Sequence, residues 1–239
     1  MTAKSDTVDQ QRRHKLIILT VVVTFRLITE SAVDLNCKNL EFSYERKPLI
    51  KGLSLQVNKG EHCWLRGSSG SGKSTLLRLL GGFLVPISGS IRWAQHEISA
   101  LAEPGRKKFR AQSLGFIHQE NYLIDHWTVA QNLELIHNAK TSAAEALDLV
   151  HLNPLLKNKM AGNLSGGEKQ RVNIARLILQ NPPVALIDEP TSHLDDKSAE
   201  AILKLVEKRL SGSTVIIVSH DHRLDQHKYR KLDFTEINR

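Results

Sequence analysis

The densest chemistry in the chain lies at Gly67-Ser68-Ser69-Gly70-Ser71-Gly72-Lys73-Ser74, which satisfies the pattern G-x-x-x-x-G-K-[ST]. Glycines at these steps let the backbone curl until successive N–H groups point inward at phosphate oxygens, and a following helix adds the positive end of its dipole. Lys73 then reaches the β and γ phosphates, Ser74 offers a hydroxyl to Mg²⁺, and Thr75 is a further phosphate contact. A Gly/Ser-rich turn matching by chance is the plain competitor. The strand-like run before Gly67 and the helical run after it argue against that.

Two further groups complement the loop. Val184-Ala185-Leu186-Ile187-Asp188-Glu189 is an apolar strand ending in adjacent carboxylates. Asp188 can hold Mg²⁺ at the strand's C-terminal edge, leaving Glu189 to orient or deprotonate an attacking water. Apolar-then-acidic segments also end ordinary strands, so the pairing with the phosphate loop carries this reading. Leu164-Ser165-Gly166-Gly167-Glu168 places two glycines and a serine hydroxyl ahead of a helical run, as a second phosphate contact requires. Alone it reads as a loop and helix cap.

The elements that must position these residues follow from periodicity. Strand-like runs at 35–42, 53–57, 62–66 and 90–93 flank the loop, and a helix is predicted over 73–80. Apolar strands at 114–117, 184–187 and 214–218, each followed by polar or helical sequence, predict an α/β fold with a largely parallel core sheet. Between Gln119 and Leu164 helix formers dominate, notably over 141–151, which predicts a helical subdomain. Another helix is expected over 169–179.

In this order the motifs resemble those of ATP-binding cassette nucleotide-binding domains, and the likeness runs from residue 34 to about 235. Kinases and GTPases use no segment like Leu164–Glu168. Tyr44 matches the aromatic residue that stacks on adenine, although a lone Tyr in a strand is more often packing. Gln119 matches the Q-loop glutamine that senses Mg²⁺ and the water. Ser192-His193-Leu194-Asp195 matches the D-loop, which puts Asp195 among the nucleotide-site residues, and His220 matches the switch histidine at the γ-phosphate.

The resemblance implies a P-loop NTPase core with a mainly parallel sheet, an N-terminal antiparallel β subdomain, and a helical subdomain at about 120–165 carrying the signature motif. It implies an ATPase whose cofactors are ATP and Mg²⁺, with Glu189, His220, Gln119 and Lys73 as the catalytic set. Two cassettes, as a homodimer or a mixed pair, would close head to tail. Ser165, Gly166 and Gly167 of one then meet ATP held by Lys73 of the other. Leu80-Gly81-Gly82, Leu114-Gly115-Phe116-Ile117-His118-Gln119 and His220-Asp221 are most similar to the lipoprotein-releasing and macrolide-export group. ATPases of that group serve FtsX-like permeases from the cytoplasmic face of the inner or plasma membrane. The chain departs from the group in a shorter stretch between Gln119 and Ser165, in His193 where a small residue is usual, and in residues 1–33.

Composition sets the outer bounds. A chain of 239 residues, 41% hydrophobic and 24% charged, suits one globular α/β domain. Its net charge of +8 favours anionic partners, whether nucleotide, nucleic acid or an acidic membrane face. Cys37 and Cys63, both in strand-like runs, suit buried reduced thiols and the cytosol. Arg12, Arg13, His14 and Lys15 precede an apolar run at 16–25, as in a signal peptide, but the run is too short for a bilayer of about 30 Å and Arg26 interrupts it. Residues 1–33 therefore read as an extension, either an interfacial segment or an extra strand, with a misassigned start as the other option. The cassette proper would span 34–239.

The competing function is a soluble cassette ATPase acting on nucleic acid or ribosomes, which a pI near 9.5 would permit. DNA-repair and chromosome members of the family insert long coiled coils between the motif halves, and its translation factors usually carry two cassettes per chain. This chain has no such insertion and one set of motifs, so transport is expected and a nucleic-acid partner is not. A GTPase reading fails at Asn158-Lys159, which is followed by Met160-Ala161 with no guanine-reading Asp.

Overall fold

Alternating burial makes the first two strands into half of a sheet. In β1 (Leu35–Tyr44) and β2 (Lys47–Val57) the core takes Leu35, Cys37, Leu40 and Phe42 from one and Leu53, Leu55 and Val57 from the other. The strands run antiparallel, with Leu35 opposite Val57 and Phe42 opposite Ile50. β4 (Ser88–Trp93) pairs on the far side of β1, and β5 (His96–Glu97) completes a four-stranded antiparallel sheet ordered β2-β1-β4-β5. The computed structural model describes residues 32–45, 47–120, 122–136 and 141–238. The expected extension lies outside them up to residue 31. Its last two residues, Ala32 and Val33, are buried, and the Thr214 hydroxyl donates to the Val33 carbonyl.

The second sheet is parallel throughout and ordered β6-β7-β8-β3-β9. It comprises β3 (His62–Arg66), β6 (Leu114–Ile117), β7 (Val184–Asp188), β8 (Thr214–Val218) and β9 (Arg230–Asp233). Every residue of β7 and β8 is buried, as continuous Val/Ile/Leu runs require when both faces are covered. Val184 and Leu186 enter one core with α1 (Lys73–Leu80) and the antiparallel sheet. Ala185 and Ile187 enter another with α5 (Gly166–Gln180) and α6 (Asp196–Arg209). β6 lies so close to α5 that a Cβ at Gly115 would collide with Leu177 and Pro182.

Between β6 and α5 the described chain holds α3 (Val129–Glu134), α4 (Ala143–Leu149), short 3-10 turns and the isolated bridge Thr128–Met160. Reciprocal capping boxes, Thr128 with Gln131 and Ser142 with Glu145, start both helices. The same device starts α5 at Gly166, earlier than the expected 169, because Ser165 and Glu168 satisfy each other's backbone N–H groups.

α2 (Glu103–Ser113), β9 and α6 are elements that the periodic pattern did not predict. α2 buries only Phe109 and Ser113, so it shows no apolar stripe, and β9 buries only Leu232. The amphipathic α6 follows the Ser192–Asp195 segment and starts on the Asp195 side chain, which accepts from Ser198 N at 2.9 Å. Both cysteines are free and buried; burial pushes both thiols up, Cys63 to about 11.

Candidate active site

The turns that follow the parallel strands open along one sheet edge, the usual place for a ligand in an α/β sheet. After β3 comes the Gly67–Gly72 turn. Gly70 (φ 73°) and Gly72 (φ 111°) sit in the left-handed region that lets backbone N–H groups converge, and Gly72 leads directly into α1. Lys73 is 5% exposed, and its Nζ donates to Gly67 O at 2.8 Å and Ser68 O at 2.7 Å. Two carbonyls thus hold the ammonium against the loop. Burial lowers the Lys73 pKa, and Glu189 and Asp188 work against that by favouring its charge. Ser68 and Ser69 are exposed, whereas Ser71, Ser74 and Thr75 are half-buried.

After β7 come the two carboxylates. Asp188 is buried, and burial raises its pKa even though Ser74 donates a hydrogen bond to it. Its Oδ1 is buried with no hydrogen-bond partner among the described residues. An orphaned carboxylate oxygen beside a serine hydroxyl is a donor set that fits a hard divalent cation. Glu189 has φ 48°, a conformation that costs a non-glycine residue of order 1–3 kcal/mol and is found mainly where surrounding contacts enforce it. Those contacts come from the turn after β8. Ser219 Oγ donates to Glu189 Oε2 at 3.0 Å, His220 N reaches the same oxygen at 3.4 Å, and His220 Nε2 lies 3.7 Å from Oε1.

Gln119 is exposed just beyond β6. Because Ile117 pairs with Ile187, it follows its strand end as Glu189 follows the neighbouring one. Tyr44 ends β1 with 45% of its surface exposed and its ring edge-on to Phe42, so one face is open for stacking.

The Ser165 segment joins a different group. Its hydroxyl oxygen accepts from Glu168 N at 3.2 Å, which leaves the O–H to donate outward at the positive end of α5. Ser165 and Gly166 are exposed, Gly167 half so, and His193 packs against both glycines. Asp195 is held by its cap on α6, where Ser198 Oγ also donates to it at 2.7 Å. The structure therefore brings Gly67–Thr75, Asp188, Glu189 and His220 together, and separately brings Ser165–Gly167 to the Ser192–Asp195 turn.

Sequence reasoning missed Ser219, Thr191 and Arg223, which fix the carboxylate end of the site. The adjacency of Ser219 to His220 was the available signal. Beyond β6 a groove of about 120 Å³ is lined by Phe116, His118, Glu120, Tyr122, Arg176 and Gln180, among others. It is apart from the carboxylates.

Residues 50–192 match the family model described as ABC transporter. The chain is 39% identical over 223 residues to the lipoprotein-releasing system ATP-binding protein LolD of Pseudomonas fluorescens, covering 87% of this chain and 97% of that protein. It is also 39% identical over 205 residues to LolD of Buchnera aphidicola, covering 80% and 89%. Among solved structures it is similar to the dimeric ATP-binding cassette MJ0796 in a post-hydrolysis state bound to ADP and Pi, with TM-score 0.75, 30% identity, and 83% and 93% of the two chains covered. A bacterial Atm1-family ABC exporter with ATP bound aligns at TM-score 0.76 and 30% identity over 86% of this chain and 38% of that one.

Proposed function

The chain belongs to the ATP-binding cassette family, as an ATP-hydrolysing transporter subunit of the LolD group, and from that premise we propose that two copies drive an FtsX-like permease to release a lipoprotein. The work is done at the cytoplasmic face of the membrane. No helix among the described residues is long and apolar enough to cross a membrane.

The residues take the following roles. The Gly67–Gly72 backbone, Ser68, Ser69, Ser71, Lys73 and Thr75 bind the phosphates, and Tyr44 stacks on adenine. Ser74, Asp188 and Gln119 would hold Mg²⁺, which would supply positive charge to offset that of the phosphates. Glu189 takes a proton from the attacking water, and His220 donates to the γ-phosphate. Ser165, Gly166 and Gly167 of one copy close on the ATP of the other, with Asp195 keeping the D-loop rigid from its capping position. The groove around Phe116 and Tyr122 receives the permease. A specificity for lipoprotein cargo rests with that permease.

The observation that carries this reading is the convergence of the Lys73 ammonium, the unpartnered Asp188 oxygen and the strained Glu189 at one sheet edge. Glu189→Gln keeps size and polarity but loses basicity, so ATP still binds while hydrolysis slows by roughly a hundredfold or more. The variant then accumulates as an ATP-bound dimer in size-exclusion chromatography or light scattering with Mg²⁺. Adding Ser165→Arg abolishes that dimer. A Glu189→Gln chain that stays monomeric at saturating ATP, or hydrolyses at the wild-type rate, overturns the assignment.

A further inference from the structure

A carboxylate acts as a base only if one of its oxygens is held toward the water, and three groups approach Glu189, of which the His220 N–H makes only a long contact of 3.4 Å to Oε2. The His220 imidazole is half-exposed and 3.7 Å from Oε1, too loose to set an orientation. Ser219 is 1% exposed, and its hydroxyl donates to Oε2 at 3.0 Å.

The direction of that hydrogen bond is enforced. Asp221 N donates to Ser219 Oγ at 3.1 Å, and because an N–H can only donate, the hydroxyl proton turns to the carboxylate. Trp64 Nε1, from β3, donates to the Ser219 carbonyl at 2.9 Å, so the residue is pinned from the sheet as well.

Asp221 is anchored in turn. Its side chain is 8% exposed and accepts from Thr191 Oγ1 at 2.6 Å, from Arg223 Nε at 2.8 Å and from Arg223 Nη2 at 2.7 Å. Burial works against its charge, but Arg223 and Thr191 outweigh burial and hold its pKa below the usual range. Arg223 Nη1 reaches Asp196, the first residue of α6, at 2.6 Å. One charge-assisted frame thus ties the turn after β7, the turn after β8 and the start of α6 around Ser219.

We propose that Ser219 is the positioning residue for Glu189, with Asp221 and Arg223 as the anchor that keeps the Ser219 hydroxyl aimed. This rests on Glu189 being the base. Ser219 acts through the carboxylate it holds.

The full chain is assayed as Ser219→Ala, Ser219→Thr, Glu189→Gln and the double variant Ser219→Ala/Glu189→Gln, with thermal melts to verify folding. Ser219→Ala lowers kcat about tenfold, a share of what general-base work supplies, and leaves the KM for ATP within about twofold. Ser219→Thr, which restores a hydroxyl, recovers most of the rate. In the Glu189→Gln background, adding Ser219→Ala produces no further loss, because the carboxylate it would aim is gone. An unchanged kcat for Ser219→Ala, or the same tenfold loss in both backgrounds, overturns the proposal. A wild-type rate for Glu189→Gln alone instead overturns the base assignment, and that result is read without any Ser219 variant.

Discussion

At the scale of single residues, the site is built from groups that would be more stable elsewhere. Asp188 is a buried carboxylate with one unpartnered oxygen, and burial raises its pKa above the ordinary value. A raised folded pKa means that the folded state holds the proton more tightly than the unfolded chain, so stability falls as pH rises through the window from about 4 upward. Above that window the penalty is fully present. Asp188→Asn removes the charge at nearly constant shape, so without nucleotide or metal it melts higher than the wild type at neutral pH, by about 2–4 °C if one kcal/mol is recovered. The difference closes in acid, below the ordinary carboxylate range, where both forms are neutral. Thermal melts at two pH values check this, and an Asp188→Asn protein that melts lower at pH 7 contradicts it. The residue types and spacing pointed to Lys73, Asp188 and Glu189 because Lys73 begins a well-patterned helix, Asp188 ends a well-patterned strand and Glu189 follows it directly. Ser219 and Arg223 were not legible in that way, since their roles arise from turns distant in sequence that the sheet brings together.

At the scale of elements, β6 carries the least expected chemistry. Its end presents a run of rings, with Phe116 to His118 centroids at 4.2 Å and His118 to Tyr122 at 4.4 Å. Burial first, and the Arg78 charge second, lower the His118 pKa from 6.5 to about 4. A depressed folded pKa leaves the unfolded chain the better proton acceptor, so stability present above pH 6.5 is lost as pH falls toward about 4. His118→Phe keeps a ring in the stack and removes the titration. Its urea midpoint therefore declines less between pH 7 and pH 5 than that of the wild type. Equal declines would show that folding does not depress the His118 pKa. The boundaries of β3, α1, β6 and β8 agree with the periodic runs that predicted them, because each is almost wholly apolar on its buried side. α2 and β9 escaped notice for the opposite reason. Each carries one large apolar side chain into the core, Phe109 and Leu232, so tertiary packing decides their form.

At the scale of the whole molecule, two cores share one parallel sheet, and neighbouring residues of a strand serve different cores. The predicted parallel sheet followed from the all-apolar strands. Its order could not be read, because β3 and β9 pair through contacts far apart in the chain. Val33 is tied into the fold through its buried side chain and its carbonyl's bond with Thr214. Deleting residues 1–31 should leave the melting temperature and ATP hydrolysis near wild type, whereas deleting through Leu35 removes core side chains and lowers the melt by several degrees. Equal losses for the two deletions would place essential contacts before residue 32. The buried cysteines bear on how the molecule can be watched. The chain has only two thiols, and burial keeps both away from solvent and protonated at neutral pH. Maleimide reagents will therefore find almost nothing to label on the native fold. One cysteine placed at an exposed position such as Lys204 would take a dye at a single known point, allowing opening and closing of a cassette pair to be followed by energy transfer without first removing any native residue.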